Sequence, residues 1–395
     1  MYLNISRVLL FSLTASITSA KQWGTLNKQP VRLVAHRGEK AFIPEHSAGS
    51  YHMSALESAD YIEPDLVLSK DKVPVIIHNE WLSDTTNIAD HPEFADRKKD
   101  YFFKGKYATI NRTDWFVWDF TFAELKTLKL VQTKAYPYRP QYFNNDFTLL
   151  SFEEYLDHIE NLSKILDRDF GVIPELKSPE IFNSIYPSTN GREFEDIVLG
   201  IMNARNFNVN QPPPFAPVRN NNLLESVLNI NNKRDSKDKD YYKIAAIQSF
   251  DPETCQYLAS KTKIPIVSLD EYTPSMYTPK GLDKIATYSK IFSPWKDVFL
   301  AGPKAYLDYN NITYDSAEID KLGGFLEAKD IVPEAHKRGI EVSPYTFYDS
   351  RQDNAYICSI KNDTSFVGCP KNKKEEFFYF FDLGVDYMFV ENINL

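Results

Sequence analysis

Short runs of β-branched and aliphatic residues recur along the chain, separated by stretches whose apolar positions repeat at helical spacing. The runs predict strands near residues 31–36, 61–68, 171–176, 244–249, 265–269, 290–294, 340–345 and 387–391. Between them the pattern predicts helices over 47–58, 121–130, 151–166, 194–206, 222–230, 252–260, 280–288, 325–338 and 374–382. Pro74-Val75-Ile76-Ile77-His78 reads as an extension of the second strand. Asp251-Pro252-Glu253 is a helix start, a capping side chain followed by Pro, and Gly339 after Lys337-Arg338 is a stop. Eight buried-looking strands alternating with helices predict an α/β fold, a closed parallel (β/α)8 TIM barrel. The competing arrangement is an open doubly wound sheet, but no Gly-rich dinucleotide fingerprint follows the first strand. Such barrels run to about 250 residues, so a chain of 395 residues needs long rim insertions. Residues 79–120 and 183–240 supply them, the second with Gln211-Pro212-Pro213-Pro214 and a polar run from Asn231 to Asp240. Strand patterning resumes at Lys243 without a new start, so residues 21–395 read as one domain.

The first twenty residues stand apart. Arg7 precedes the apolar run Val8-Leu9-Leu10-Phe11-Ser12-Leu13, and small residues follow to Thr18-Ser19-Ala20. That is the layout of a cleavable secretory signal, with a short buried helix as the alternative. The run falls short of the roughly 20 apolar residues that span a bilayer, and the C-terminus lacks a lipid-anchor tail. A secreted protein with no stable membrane anchor is the expectation. The pattern Asn-X-Ser/Thr at Asn111, Asn161, Asn311 and Asn362 suits a glycoprotein. Cys358 and Cys369 bracket a polar loop and could close it by a disulfide, leaving Cys255 as a small buried side chain. With 27 Phe and 24 Tyr the chain is no disordered polymer, and a net charge of −9 argues against a nucleic-acid-binding surface.

Candidate chemistry collects between Val31 and Asn79. The first strand ends in His36-Arg37-Gly38, and the second reads Tyr61-Ile62-Glu63-Pro64-Asp65-Leu66-Val67. Strand side chains alternate faces, so Glu63 and Asp65 point the same way. Two buried carboxylates need a partner. One reading is a divalent cation; the other is a pair of rim acids matched to Arg or Lys. The third strand ends in Glu175-Leu176-Lys177, which brings a third acid to the C-terminal rim, where barrel active sites form. Three carboxylates without Cys or clustered His favour Ca²⁺ or Mg²⁺ over Zn²⁺. His36 and His78 each read singly as structural histidines. Grouped with Arg37 and Lys177 they suit a phosphodiester, the cations holding the anion and the imidazoles moving protons. A carboxylate-pair glycosidase using Glu63 and Glu175 leaves those four residues without roles.

These residues resemble the glycerophosphodiester phosphodiesterase family. The resemblance rests on His36-Arg37-Gly38, Pro44-Glu45-His46-Ser47, Glu63-x-Asp65, Lys70-Asp71, His78 and Glu175-x-Lys177. It continues through Gln248-Ser249-Phe250-Asp251, Pro344-Tyr345-Thr346 and Gly384-Val385-Asp386, and is nearest to the bacterial periplasmic branch. It implies metal ligands Glu63, Asp65 and Glu175, an acid/base pair His36 and His78, and phosphate contacts from Arg37 and Lys177. The implied reaction splits a small-molecule glycerophosphodiester into sn-glycerol 3-phosphate and an alcohol, the substrate's own hydroxyl attacking phosphorus to give a cyclic phosphate that water opens. The chain departs from the family pattern at Asn79, where Asp is usual, at Glu39-Lys40-Ala41, which sets two charges near the phosphate mouth, and at Ser343, Glu391 and Ile393. Tyr345 and Trp295 are candidate substrate contacts, and Glu45 and Asn79 candidate supports of the histidines and Arg37. Two rivals remain: a related lyase that stops at the cyclic phosphate, and a binding protein that keeps the pocket without turnover.

Overall fold

The structure is a computed structural model that describes residues 23–133, 135–207, 244–348 and 370–393. Eight parallel strands occur in the predicted order: β1 (Arg32–Ala35), β2 (Tyr61–Ile62 continuing as Asp65–Leu68), β3 (Gly171–Val172 continuing as Glu175–Leu176), β4 (Ile247–Ser249), β5 (Ile266–Asp270), β6 (Ile291–Pro294), β7 (Glu341–Val342) and β8 (Tyr387–Val390). From β1 to β7 each pairs with the next, and β8 pairs with β1, Arg32 opposite Tyr387. Between β7 and β8 the ladder runs through single bonds: Asp386 N–H to Val342 O (2.8 Å), Phe347 N–H to Phe389 O (2.8 Å) and Glu391 N–H to Phe347 O (3.0 Å). The barrel predicted from the strand pattern is therefore the fold.

β2 and β3 are each interrupted once, at Glu63-Pro64 and at Ile173-Pro174. A proline has no N–H to give to the ladder. Its carbonyl still serves, since Pro64 O accepts from Glu175 N–H and Pro174 O from Gln248 N–H, both at 2.9 Å. Val34, Tyr61, Ile173, Ala246, Val267, Ile291 and Tyr387 fill the barrel interior, while a larger apolar layer lies between strands and helices. Arg32 closes the lower end against Tyr387 and Glu341. The inward-facing residues nearest the C-terminal ends are polar, and they build the site.

Several predicted helices stand close to expectation: Ala48–Leu56, Phe152–Leu166, Glu193–Ala204, Pro252–Lys261, Pro279–Ala286 and Lys373–Leu383. Asp251 caps its helix by accepting from Glu253 and Thr254 N–H, and Gly339 takes φ +70° after the last turn of another. Two predicted helices shrink. The 325–338 stretch is regular only over Ile331–Lys337, because Pro333 is tolerated only in a first turn. The 121–130 stretch stops at Leu125, and Lys129 and Leu130 instead bridge Thr148 and Thr86. The segment Pro74–Ile76 corrects another expectation: it does not extend β2 but turns back antiparallel along it, Leu66 opposite Ile76. Residues 79–120 hold short 3-10 turns and the exposed hairpin Lys99–Lys104/Thr109–Asp114. The predicted helix at 222–230, Cys358, Cys369, Asn362 and residues 1–20 lie outside the described residues. Asn111, Asn161 and Asn311 are exposed, and Cys255 is buried. Among the described residues no helix is long and apolar enough to cross a membrane.

Candidate active site

β1 ends where the chain must leave the barrel sharply. Arg37 and Gly38 both take positive φ (+62° and +80°), and a Cβ on Gly38 would lie 2.8 Å from the Ser50 carbonyl carbon. The turn aims Arg37 N–H at Glu63 Oε2 (2.8 Å). The guanidinium reaches Glu45 Oε1 with Nη1 and Asp65 Oδ2 with Nε, each at 3.2 Å. Glu45 therefore supports Arg37, as expected. It is held down at about 2, with burial opposed by Arg37 and Lys40.

Glu63, Asp65 and Glu175 converge as the strand alternation required: one carboxylate oxygen of each lies within 4.8 Å of the others, and all three are buried. Burial, then the neighbouring Asp65 and Glu175, push Glu63 well above the usual carboxylate range. Burial lifts Glu175 to about 7 against the pull of Lys177. Asp65 goes the other way: burial opposes its charge, but Lys177, Arg37 and His78 hold its pKa well below normal. Lys177 Nζ sits 2.8 Å from Glu175 Oε1 and 4.0 Å from Asp65 Oδ1. Both sequence readings are thus present, acids facing each other and acids facing cations. The residues fit a hard divalent ion. Asp65 Oδ1 is buried without a hydrogen bond, the donor set is oxygen only, and two cations face four carboxylates counting Glu45.

The hairpin explains how His78 arrives. Because Pro74–Ile76 doubles back, Ile77 N–H bonds Asp65 O (3.2 Å) and His78 stands level with the acids; a straight extension would have carried it away from them. His36 and His78 line one cavity of about 460 Å³ together with Arg37, Glu45, Glu63, Asn79, Glu175, Lys177, Trp295 and Tyr345. Asp65 lies buried beneath it. Burial and then nearby cations (Lys40 and Arg37 for His36, Arg37 and Lys177 for His78) lower both imidazoles well below their usual pKa. The sequence-predicted site is therefore brought together at one end of the barrel.

The model of the glycerophosphoryl diester phosphodiesterase family matches residues 36–195 and 203–395. The chain belongs to this family. It is 28% identical over 395 residues to glycerophosphodiester phosphodiesterase GDPD6 of Arabidopsis thaliana, covering 97% of this chain and 89% of that protein. It is 24% identical over 279 residues to a glycerophosphodiester phosphodiesterase of Treponema pallidum, covering 67% and 70%. A crystal structure from Silicibacter pomeroyi DSS-3 shares the fold with TM-score 0.54 at 16% identity, over 93% of this chain and 94% of that one.

Within this family frame the structure adds residues that local pattern did not single out. His46 is fully buried, its Nε2 2.8 Å from Asp65 Oδ2 and its Nδ1 2.8 Å from the Tyr51 hydroxyl, so it fixes the orientation of Asp65. Gln248 Nε2 donates to Glu63 Oε1 at 3.2 Å. His46 and Gln248 stand inside the motifs quoted for the resemblance, which was their one signal. Glu39 and Lys40, expected as two charges near the phosphate mouth, are both buried. Lys40 pairs with Glu391 Oε1 at 2.9 Å, and Arg139 holds the other Glu391 oxygen. Glu39 accepts from Asn392 Nδ2 at 3.0 Å. Lys40 still borders the cavity, where burial and Arg37 lower its pKa to about 8.

Proposed function

We propose that this protein hydrolyses glycerophosphodiesters to sn-glycerol 3-phosphate and an alcohol with the help of one divalent cation. The observation that carries the reading is the buried carboxylate triad set beside two imidazoles and two cations in one cavity. Glu63, Asp65 and Glu175 would hold Ca²⁺ or Mg²⁺, which supplies Lewis-acid stabilisation of charge growing on phosphoryl oxygens. Arg37 and Lys177 bind the phosphodiester anion. One imidazole takes the proton of the attacking hydroxyl and the other gives a proton to the departing alcohol oxygen. No side-chain nucleophile is needed: the substrate's own hydroxyl attacks phosphorus, the alcohol leaves with the donated proton, and water then opens the resulting cyclic phosphate to sn-glycerol 3-phosphate. The anion of the bound substrate offsets the cations around the histidines and favours the protonated ring that the second step needs. Residues 1–20 support secretion of the enzyme.

Phosphorus NMR of glycerophosphocholine with the purified protein tests the reading. Conversion to glycerol phosphate that stops with chelator and returns with Ca²⁺ or Mg²⁺ is expected. Absence of turnover with every divalent ion overturns it in favour of a binding protein. A persistent cyclic phosphate signal overturns hydrolysis in favour of a lyase.

A further inference from the structure

His78 is not left alone at the cavity. Its Nδ1 lies 2.7 Å from Asn79 Oδ1, and Asn79 Nδ2 donates to Asp84 Oδ2 at 2.9 Å. Asp84 also accepts from Trp81 Nε1 on the same oxygen (2.6 Å) and from Arg112 Nη2 on the other (2.7 Å). The chain of bonds has a direction. A carboxylate surrounded by three donors can only accept, so the amide must turn its nitrogen to Asp84 and its oxygen to His78. An amide oxygen also only accepts, so Nδ1 of His78 must carry the hydrogen. Nε2, the ring's other nitrogen, is then the one with a free lone pair. By contrast His36 Nδ1 is buried with no hydrogen-bond partner, so nothing comparable sets its tautomer.

We propose that Asp84, anchored by Arg112 and Trp81, is a positioning residue that acts through Asn79 to hold His78 as the Nδ1–H tautomer, so that Nε2 is the nitrogen that exchanges protons with the substrate. The inference rests on the phosphodiesterase reading only for that proton exchange; the tautomer itself can be read in the resting protein. It gives the neutral Asn79 a purpose. A carboxylate there would still accept from His78, but it would face the Asp84 oxygen across 2.9 Å with no donor between them.

The test combines ¹⁵N NMR of the His78 ring with kcat and KM for three variants. Asn79→Asp is expected to lower kcat by about 10- to 100-fold with KM little changed, the usual scale for losing a partner that orients an imidazole. Asp84→Ala is expected to mix the His78 tautomers. Adding Asp84→Ala to Asn79→Asp should recover part of the lost kcat, because the carboxylate then at position 79 no longer faces a second one and still accepts from His78. A pure Nδ1–H signal and wild-type kcat in Asp84→Ala overturn the proposal, as does a double variant no better than Asn79→Asp. A wild-type protein with the expected tautomer but no turnover overturns the phosphodiesterase reading instead.

Discussion

Lys40 offers a measurement whose size and sign both follow from the structure. Its ammonium is enclosed, pairs with Glu391 at 2.9 Å, and shares that acid with Arg139. Two cations therefore face one carboxylate, with Arg37 nearby as a further positive charge. Burial and Arg37 together outweigh Glu391, and the pKa falls from 10.5 to about 8. Keeping that group charged at pH 7 costs the fold about 3 kcal/mol relative to the unfolded chain. Lys40→Met removes the charge, keeps most of the stem's packing, and leaves Glu391 balanced by Arg139. Urea unfolding at pH 7 should show a gain of up to about 3 kcal/mol. The pH dependence fixes the cause. The unfolded chain keeps the proton that the folded chain gives up, so wild-type stability rises from pH 8 to pH 10.5 and the advantage of Lys40→Met fades over the same interval. Glu391→Gln is the opposite case: it removes the carboxylate that Lys40 and Arg139 share and should cost about 3–5 kcal/mol. A Lys40→Met protein less stable than wild type at pH 7, or a gain that persists undiminished at pH 10.5, would refute the reasoning.

Three further outcomes follow from individual contacts. Glu63→Gln removes one candidate ligand while Asp65 and Glu175 remain, so calorimetry should show weaker Ca²⁺ or Mg²⁺ binding and excess ion should restore part of the turnover; unchanged affinity would remove Glu63 from the ligand set. Gly38→Ala forces a Cβ against Ser50 at φ +80° and should lower unfolding stability by about 1–3 kcal/mol; a neutral result would mean the turn relaxes freely. Burial raises the Cys255 thiol far above its ordinary pKa, so iodoacetamide should label the Cys255 peptide only after unfolding, and rapid labelling of the native protein by mass spectrometry would contradict the burial.

What could be read from sequence was whatever depends on near neighbours. The alternation in Glu63-Pro64-Asp65 put two carboxylates on one side of one strand, and the same period placed Glu175 and Lys177 together on the next. Barrel order then brought all of them to one rim, because consecutive parallel strands pair. Helix ends were visible where a cap announces them, as at Asp251 and Gly339. The hairpin behind His78 was hidden for a physical reason. A strand and its return leg carry the same apolar alternation, and the turn between them uses Lys72 at φ +62°, with Ser69 and Asp71 bonded across it, in place of the usual glycine.

Charge compensation was hidden more deeply, and it is where this chain differs from its family pattern. Glu391, read as a departure near the C-terminus, turns out to hold Lys40 and Arg139, which are themselves remote in sequence. Lys40, read as a departure at the first turn, is one of the two cations that pair with that buried carboxylate. Asn79 is likewise a departure only when taken alone. With Asp84 at 2.9 Å, a neutral residue at 79 avoids two unpaired acids side by side and still supplies His78 with an acceptor. Lys40 and Glu391 explain each other across almost the whole chain, and Asn79 is explained by Asp84 five residues on. A buried charge is stable only relative to what faces it, so Asn79→Asp should fail singly and be tolerated once Asp84 is changed as well.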